Sequence, residues 1–254
     1  MQIQQKTFVV TGGASGLGAA TVRHFHAAGA NLLIADLDCS AGEKLVTDLG
    51  GQRVLFCKTD VTHEGEAQAV IDIACRSFGS IQGLINCAGI APAKKILGKT
   101  GPHDLAGFTR TVQINLIGTF NMTRLVAFAM SQNTVNTAGE RGVIINTASI
   151  AGYEGQIGQA AYAAAKGGVI SMTLPIAREL ADHGIRIMTI APGLFATPML
   201  ENMRSDVQDA LSAMTVFPPR LGLAAEYAQL AQHIVENVML NGTTIRLDGG
   251  VRLK

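Results

Sequence analysis

The sequence predicts an α/β fold in which a doubly wound parallel sheet is flanked by helices on both faces. Three observations carry this. The strand-like segments are short and almost unbroken apolar runs, such as NLLIA at 31–35 and GVIINT at 142–147. Strands covered on both faces read this way, whereas half-exposed strands alternate. Each run is followed by a longer segment with apolar residues at helical spacing, the alternation that right-handed crossovers wind into a parallel sheet. No linker, repeat or low-complexity tract interrupts the 254 residues, so one domain over 1–254 is expected.

In chain order, KTFVVT at 6–11 forms the first strand, and glycines then turn the chain into a helix over 16–28. A strand at 31–35 leads into a more polar helix at 40–49. A strand at 53–57, a helix at 64–78 and a strand at 83–86 repeat the pattern. One long helix is expected over 104–130, then a strand at 142–147, a helix over 158–181 and a strand at 186–190. A helix at 224–238 and a strand at 243–247 close the chain. Residues 91–102 and 131–140 read as surface insertions. Residues 194–219 follow a strand end and precede the last helix, where a lid over a site would sit.

Composition excludes several classes of function. Hydrophobic residues make up 48% of the chain and charged residues 15%, enough for one large core. A net charge of +1, without a basic stripe or acidic tail, gives no basis for binding nucleic acid or an anionic membrane. No apolar run is long enough to span a bilayer. The first strand starts too close to Met1 to leave room for a signal peptide. Cys39, Cys57, Cys75 and Cys87 form no C-x-x-C pair and no zinc spacing with the scattered histidines, so no metal site is expected. Unpaired thiols suit a reducing compartment, and a cytoplasmic protein is the expectation.

Residues 11–18 read T-G-G-A-S-G-L-G between the first strand and the first helix. Glycine lets the backbone turn sharply and approach a pyrophosphate, whose charge then faces the helix N-terminus. Gly12, Gly16 and Gly18 are spaced G-x-x-x-G-x-G, unlike the commoner G-x-G-x-x-G fingerprint. A tight turn alone explains a glycine cluster; its place in a βαβ unit is what points to a dinucleotide. Asp36 ends the second strand. A carboxylate there accepts hydrogen bonds from both adenine ribose hydroxyls and repels a 2′-phosphate, so NAD is expected over NADP. The plainer alternative is a turn or helix-cap aspartate, since Asp38 and Ser40 follow. Asp60 and Val61 end the third strand segment, within reach of an adenine ring. Cys87, Ala88 and Gly89 leave the fourth strand with side chains small enough for close approach to a cofactor. Each of these is otherwise an ordinary strand-to-loop transition.

Tyr162 and Lys166, four apart in Y-A-A-A-K, fall on one face of a helix. Ser149 ends the fifth strand, 13 residues earlier. Oxidising an alcohol by hydride transfer leaves a proton to remove. Free tyrosine, with a pKa of about 10, is a poor base near neutrality. A nearby ammonium and an oxidised nicotinamide stabilise the phenolate. Lys166 supplies that ammonium and can also hold the nicotinamide ribose, while Ser149 can hydrogen-bond the substrate oxygen. A lone Y-x-x-x-K is usually a solvated helix face. The serine, the glycine turn and the strand pattern together oppose that reading.

With these residues in hand, the chain resembles the short-chain dehydrogenase/reductase family over essentially its full length. The matching elements are residues 11–18, Asp60 and Val61, N-C-A-G at 86–89, Asn115, Ser149, Tyr162, Lys166, Pro192 and Gly193. The resemblance implies a Rossmann-type sheet and a catalytic tetrad completed by Asn115, which supports a proton relay. Residues 142–149, 154–162, 172–180, 190–198 and 245–249 resemble more narrowly a branch of that family acting on 3-hydroxyacyl-CoA thioesters. That branch implies NAD contacts from Ser15, Leu17, Cys87, Phe195 and Thr197, and substrate contacts from Ser149, Gln159 and Tyr162. It also implies a homotetramer built on the helices near 104–130 and 158–181.

Three other features bear on substrate. Lys94, Lys95 and Lys99 on the first insertion could meet coenzyme A phosphates at the rim, or could simply be solvated. Met199, Met203, Met214 and Phe217 lie on the expected lid, where flexible apolar side chains suit an acyl chain or fill core. The rival readings are a dehydrogenase of steroids or other secondary alcohols, a 3-oxoacyl thioester reductase, and a non-catalytic dinucleotide sensor. Asp36 opposes an NADPH-preferring reductase, and the presence of Tyr162 and Lys166 opposes a sensor.

Overall fold

A computed structural model of the chain describes residues 1–99, 101–197 and 212–253. Among these residues, seven strands form one parallel sheet. They are β1 (Thr7–Thr11), β2 (Asn31–Asp36), β3 (Val54–Lys58), β4 (Gly83–Asn86), β5 (Gly142–Thr147), β6 (Ile185–Pro192) and β7 (Thr244–Leu247). Their spatial order is β3-β2-β1-β4-β5-β6-β7. Strand order reverses between β1 and β4, and ligands of doubly wound sheets bind at the carboxyl ends of the strands there.

The unbroken apolar runs have a physical reason. β1 sends Phe8 and Val10 to one core and Val9 to the other; β2 divides Leu32 and Ile34 from Leu33 and Ala35 in the same way. Helices α1 (Gly16–Ala27), α2 (Cys39–Asp48) and α7 (Ala224–Glu236) cover the first face. Helices α3 (Glu64–Phe78), α5 (Thr119–Ser131) and α6 (Ala160–Leu180) cover the second.

The structure corrects the sequence reading at three elements. The helix expected over 104–130 is three segments: α4 (Leu105–Val112), a π-helical stretch at Gln113–Gly118, then α5. The β6 strand extends beyond 186–190 to Ile185–Pro192, with the Arg186 charge buried inside it. Arg186 Nε donates to Glu140 Oε1 at 2.7 Å, and its terminal nitrogens donate to the carbonyls of Ile234, Val235 and Leu240 near the end of α7. A buried cation so paired removes the orphan carbonyls of a helix end. Those carbonyls turn to Arg186 where α7 stops at Glu236, short of the expected residue 238.

Residues 91–99 are exposed, with a minimal antiparallel ladder between Leu97–Gly98 and Gly101–Pro102. Residues Phe195–Ala196 of the third irregular stretch pair in parallel with Gly222–Leu223. Met199 and Met203 lie outside the described residues. Among the described residues no helix is long and apolar enough to cross a membrane, and all four cysteines are free.

Candidate active site

The carboxyl ends of the central strands open into a cleft of about 1340 Å³. The eighteen residues expected as the catalytic tetrad and as cofactor or substrate contacts all line it, from Gly12 after β1 to Thr197 after β6. The cleft divides into a half suited to a nucleotide and a half that carries Ser149, Tyr162 and Lys166.

In the first half, the exits of β1 and β4 touch. Gly12 leaves β1 with φ +60°, and a side chain there would lie 2.7 Å from the Ala88 nitrogen. The Thr11 hydroxyl accepts from that same nitrogen at 3.2 Å. Ser15 precedes α1 in extended backbone, and its side chain caps nothing. The first-turn N–H groups of α1 are left for another acceptor, beside Ser15, Gly16, Leu17 and Gly18 of the cleft wall. Asp36 accepts from Ala14 N at 3.0 Å and Asp38 N at 3.1 Å. A carboxylate has about four acceptor sites, so Asp36 is fixed by the glycine turn and keeps capacity for two further donors. The helix cap is Asp38, which accepts from Ala41 N at 3.0 Å; Asp36 has no such duty. Asp60 closes its own turn by accepting from Thr62 N and Oγ1, at 2.9 and 2.7 Å, and Val61 is buried beside it. An anion-ready helix end beside a carboxylate with spare acceptors fits a dinucleotide's pyrophosphate and adenine ribose.

In the second half, Tyr162 and Lys166 stand one turn apart on α6, with Lys166 Nζ 5.8 Å from the Tyr162 ring centre. Ser149 caps a short 3-10 turn, its Oγ accepting from Ala151 N at 3.1 Å. Lys166 Nζ donates to the Thr147 carbonyl at 2.7 Å. Asn115 sits fully buried in the π-helical stretch, where such turns often mark functional sites. Its amide grips Ile90 at both ends, donating to the carbonyl at 2.9 Å and accepting from the N–H at 3.2 Å. A side chain on Gly89 would lie 2.5 Å from Asn115 Oδ1 and 3.6 Å from Lys166 Nζ, so these three positions pack as one unit. Gln159, just before α6, accepts from Gln156 N at 2.9 Å, while Phe195 and Thr197 complete the wall after β6.

Burial pushes the Tyr162 hydroxyl above its ordinary pKa, opposed by its hydrogen bond with Ser149. Burial holds the Lys166 ammonium down to about 8, opposed by Cys87. A phenol, a serine hydroxyl and an ammonium so arranged can bind an alcohol oxygen and take its proton. The phenolate needs added positive charge before it forms at neutral pH.

Several lining residues escaped the sequence reading, Thr147 and Arg110 among them. Thr147, the last residue of β5, supplies the lysine's carbonyl partner. Arg110 belongs to a helical stripe of Ala106, Thr109, Arg110 and Gln113 along the cleft. The i, i+3, i+4, i+7 spacing of that stripe was the available signal. Other residues singled out in the sequence lie outside the cleft wall. Lys94 is paired with Asp104, and its main-chain N–H donates to Gly158 O at 2.8 Å. Lys94, Lys95 and Lys99 do not line the cleft. Nor do Met214 and Phe217; Phe217 is 78% exposed, and its N–H donates to Gly249 O at 3.0 Å.

Residues 6–208 match the short chain dehydrogenase family. The chain is 52% identical to a 3-hydroxyacyl-CoA dehydrogenase type-2 of Bos taurus, over 97% of this chain and 95% of that one. It is 33% identical to the ipsdienol dehydrogenase of Ips pini, over 99% of both. A crystal structure of 3-hydroxyacyl-CoA dehydrogenase type-2 from Mycobacterium avium superposes with a TM-score of 0.94 at 42% identity, covering 100% of this chain and 99% of the other. The chain belongs to the short-chain dehydrogenase family, and its cleft is built as that of a nicotinamide-dependent oxidoreductase.

Proposed function

We propose that this chain is an NAD-dependent dehydrogenase that reversibly oxidises the 3-hydroxyl of short or branched 3-hydroxyacyl-CoA to the 3-oxo form. The observation that carries this is the meeting of Ser149, Tyr162 and Lys166 beside Asp36 and the glycine turn. The 52% identity with the bovine 3-hydroxyacyl-CoA dehydrogenase supports the choice of substrate.

The dinucleotide is held by Gly12, Ser15, Gly16, Leu17 and Gly18 at the pyrophosphate and Asp36 at the adenine ribose. Asp60 and Val61 flank the adenine, with Cys87, Ala88, Gly89, Phe195 and Thr197 toward the nicotinamide. Bound NAD supplies the hydride acceptor and a positive charge beside the phenol. Tyr162, as phenolate, takes the hydroxyl proton as the carbinol C–H bond gives up its hydride and the C=O bond forms. Ser149 hydrogen-bonds the oxygen and steadies its developing charge. Lys166 holds the nicotinamide ribose and stabilises the phenolate, whose own charge then keeps Lys166 protonated. Asn115 fixes Ile90 and the turn that packs against Lys166, and Gln159 contacts substrate.

The test is NADH formation with a panel of 3-hydroxyacyl-CoAs, steroids and simple secondary alcohols, compared by kcat/KM with NAD and with NADP. Acyl-CoA oxidation with NAD should dominate. The ipsdienol dehydrogenase relative favours a second reading, oxidation of another secondary alcohol; a panel led by such an alcohol would select it. Asp36→Ala should narrow the NAD preference about tenfold, because it removes charge-assisted hydrogen bonds and the repulsion of a 2′-phosphate. Equal use of both cofactors by the unaltered chain would refute the role of Asp36.

Lys95 and Lys99, exposed beyond the cleft wall, are proposed as rim contacts for coenzyme A. Exposed charges are worth roughly 0–1 kcal/mol each and are screened by salt. Neutralising both should raise KM for an acyl-CoA no more than a few fold at low salt, with the difference vanishing at high salt. An unchanged KM at every ionic strength would leave them as solvated loop lysines. Exposed Ile117, Phe120 and Phe128 along the π-helical stretch and α5, with Leu174 on α6, supply apolar surface for the homotetramer.

A further inference from the structure

Beyond Asn86 and Asn146 the backbone ladder no longer joins β4 to β5. Cys87 N continues the ladder with β1, donating to Thr11 O at 3.1 Å, and Ala148 N continues that with β6, donating to Ile190 O at 2.8 Å. The β4–β5 register thus ends one residue short of Cys87 and Thr147, both of which line the cleft. A side chain from behind the wall joins these two. Tyr227 of α7 is fully buried and not part of the cleft lining. Its hydroxyl lies 2.7 Å from Thr147 Oγ1 and 3.7 Å from Cys87 Sγ, and Thr147 Oγ1 lies 3.6 Å from that sulfur. Three donors and three acceptors close a ring: Tyr227 donates to Thr147, Thr147 to Cys87, and Cys87 to Tyr227. Every buried hydroxyl and thiol is then satisfied with no group ionised. The main-chain carbonyl of the same Thr147 accepts the Lys166 ammonium at 2.7 Å.

We propose that Tyr227 is a positioning residue that clasps the ends of β4 and β5 and so fixes Lys166 and the wall under the nicotinamide half of the cleft. This rests on the dehydrogenase reading above. The titratable groups facing Lys166 are Tyr162 on its own helix and Cys87 after β4, with Tyr227 of α7 behind Thr147; the π-helical stretch contributes the neutral Asn115. Without the clasp, Thr147 and its carbonyl are held less firmly. The ammonium then stabilises the Tyr162 phenolate less well.

The test is Tyr227→Phe, which keeps the ring and deletes the hydroxyl. One lost hydrogen bond should weaken NADH binding, read by fluorescence of the reduced cofactor, about three- to tenfold. The apparent pKa governing oxidation should move upward, because a weaker cation favours the neutral phenol. Thr147→Val should reproduce both changes, the double variant should be no worse than either single one, and Thr147→Ser should restore them. Should Tyr227→Phe fail to fold, the valine and serine variants at 147 make the same comparison from the other side of the ring. A folded Tyr227→Phe with unaltered NADH affinity and pH profile, and only a lower melting temperature, would overturn the clasp as a positioning device. An unaltered chain that bound no NADH would overturn the dehydrogenase reading and this proposal with it.

Discussion

Tyr162→Phe is expected to lower kcat by about 10²–10⁴-fold, the usual worth of a positioned general base, while NADH affinity stays close to that of the unaltered chain. The phenylalanine ring fills the same space on α6, and Lys166 keeps its 2.7 Å hydrogen bond to the Thr147 carbonyl. The glycine turn and Asp36, the main contacts proposed for the nucleotide, lie in the other half of the cleft. Loss of chemistry with retention of binding is thus the signature of a proton carrier and not of a packing residue. The pH dependence has a definite sign. Burial raises the Tyr162 pKa in the chain alone, so the hydroxyl is protonated at neutral pH. Positive charge brought by the oxidised cofactor and Lys166 draws it back down, so oxidation should rise with pH through an apparent pKa below that of free tyrosine. That pKa belongs to the coupled Tyr162–Lys166 pair. Reduction needs the neutral phenol and should fall with pH over the same range. A pH–rate profile in both directions measures this, and near-normal turnover by Tyr162→Phe would show the mechanism to be wrong whatever the fold.

How much of this was legible in the sequence follows from which interactions are local. The parallel sheet and its sequence of elements came from apolar runs alternating with helical spacing, because both faces of a parallel sheet are buried. Tyr162 and Lys166 were legible because a helix converts a spacing of four into a shared face. Asp36 could be placed because it ends a strand, although only the structure assigns the cap of α2 to Asp38 instead. The break in the 104–130 helix was not legible: a π-helical shift alters which carbonyl each N–H meets and leaves no composition behind. Tyr227 was hidden for a different reason. It lies 80 residues from Thr147, and nothing at either position signals the other until the sheet brings α7 behind β5. The pairing of Lys94 with Asp104 was equally unreadable, since loop geometry decides which exposed charges meet.

Gly18→Ala should cost the cleft its dinucleotide. The added carbon would stand 2.1 Å from the Gly12 carbonyl oxygen, 2.8 Å from its carbon and 2.9 Å from Gly13 Cα, all backbone atoms. No rotamer change relieves such a contact, so either α1 or the turn must move. The turn is pinned on its other side: Gly12 N donates to Ala35 O at 2.9 Å, and its Cα faces Ala88 so closely that a side chain there would lie 2.7 Å from the Ala88 nitrogen. Overpacking of this kind costs about 1–3 kcal/mol, or a fall in melting temperature of about 2–12 °C for a domain of this size. The binding loss should be larger in proportion, because displacing a positioning element by about 1 Å costs about 10²-fold. Gly51→Ala separates the clash from simple backbone strain. Gly51 has φ +69° with nothing within 4 Å of an added carbon, so alanine there should cost about 1–2 kcal/mol and leave NADH affinity alone. Titration of both variants with NADH makes the comparison. Wild-type affinity in Gly18→Ala would mean that the pyrophosphate does not rest on the β1–α1 turn, since that turn cannot accept the extra carbon and keep its shape.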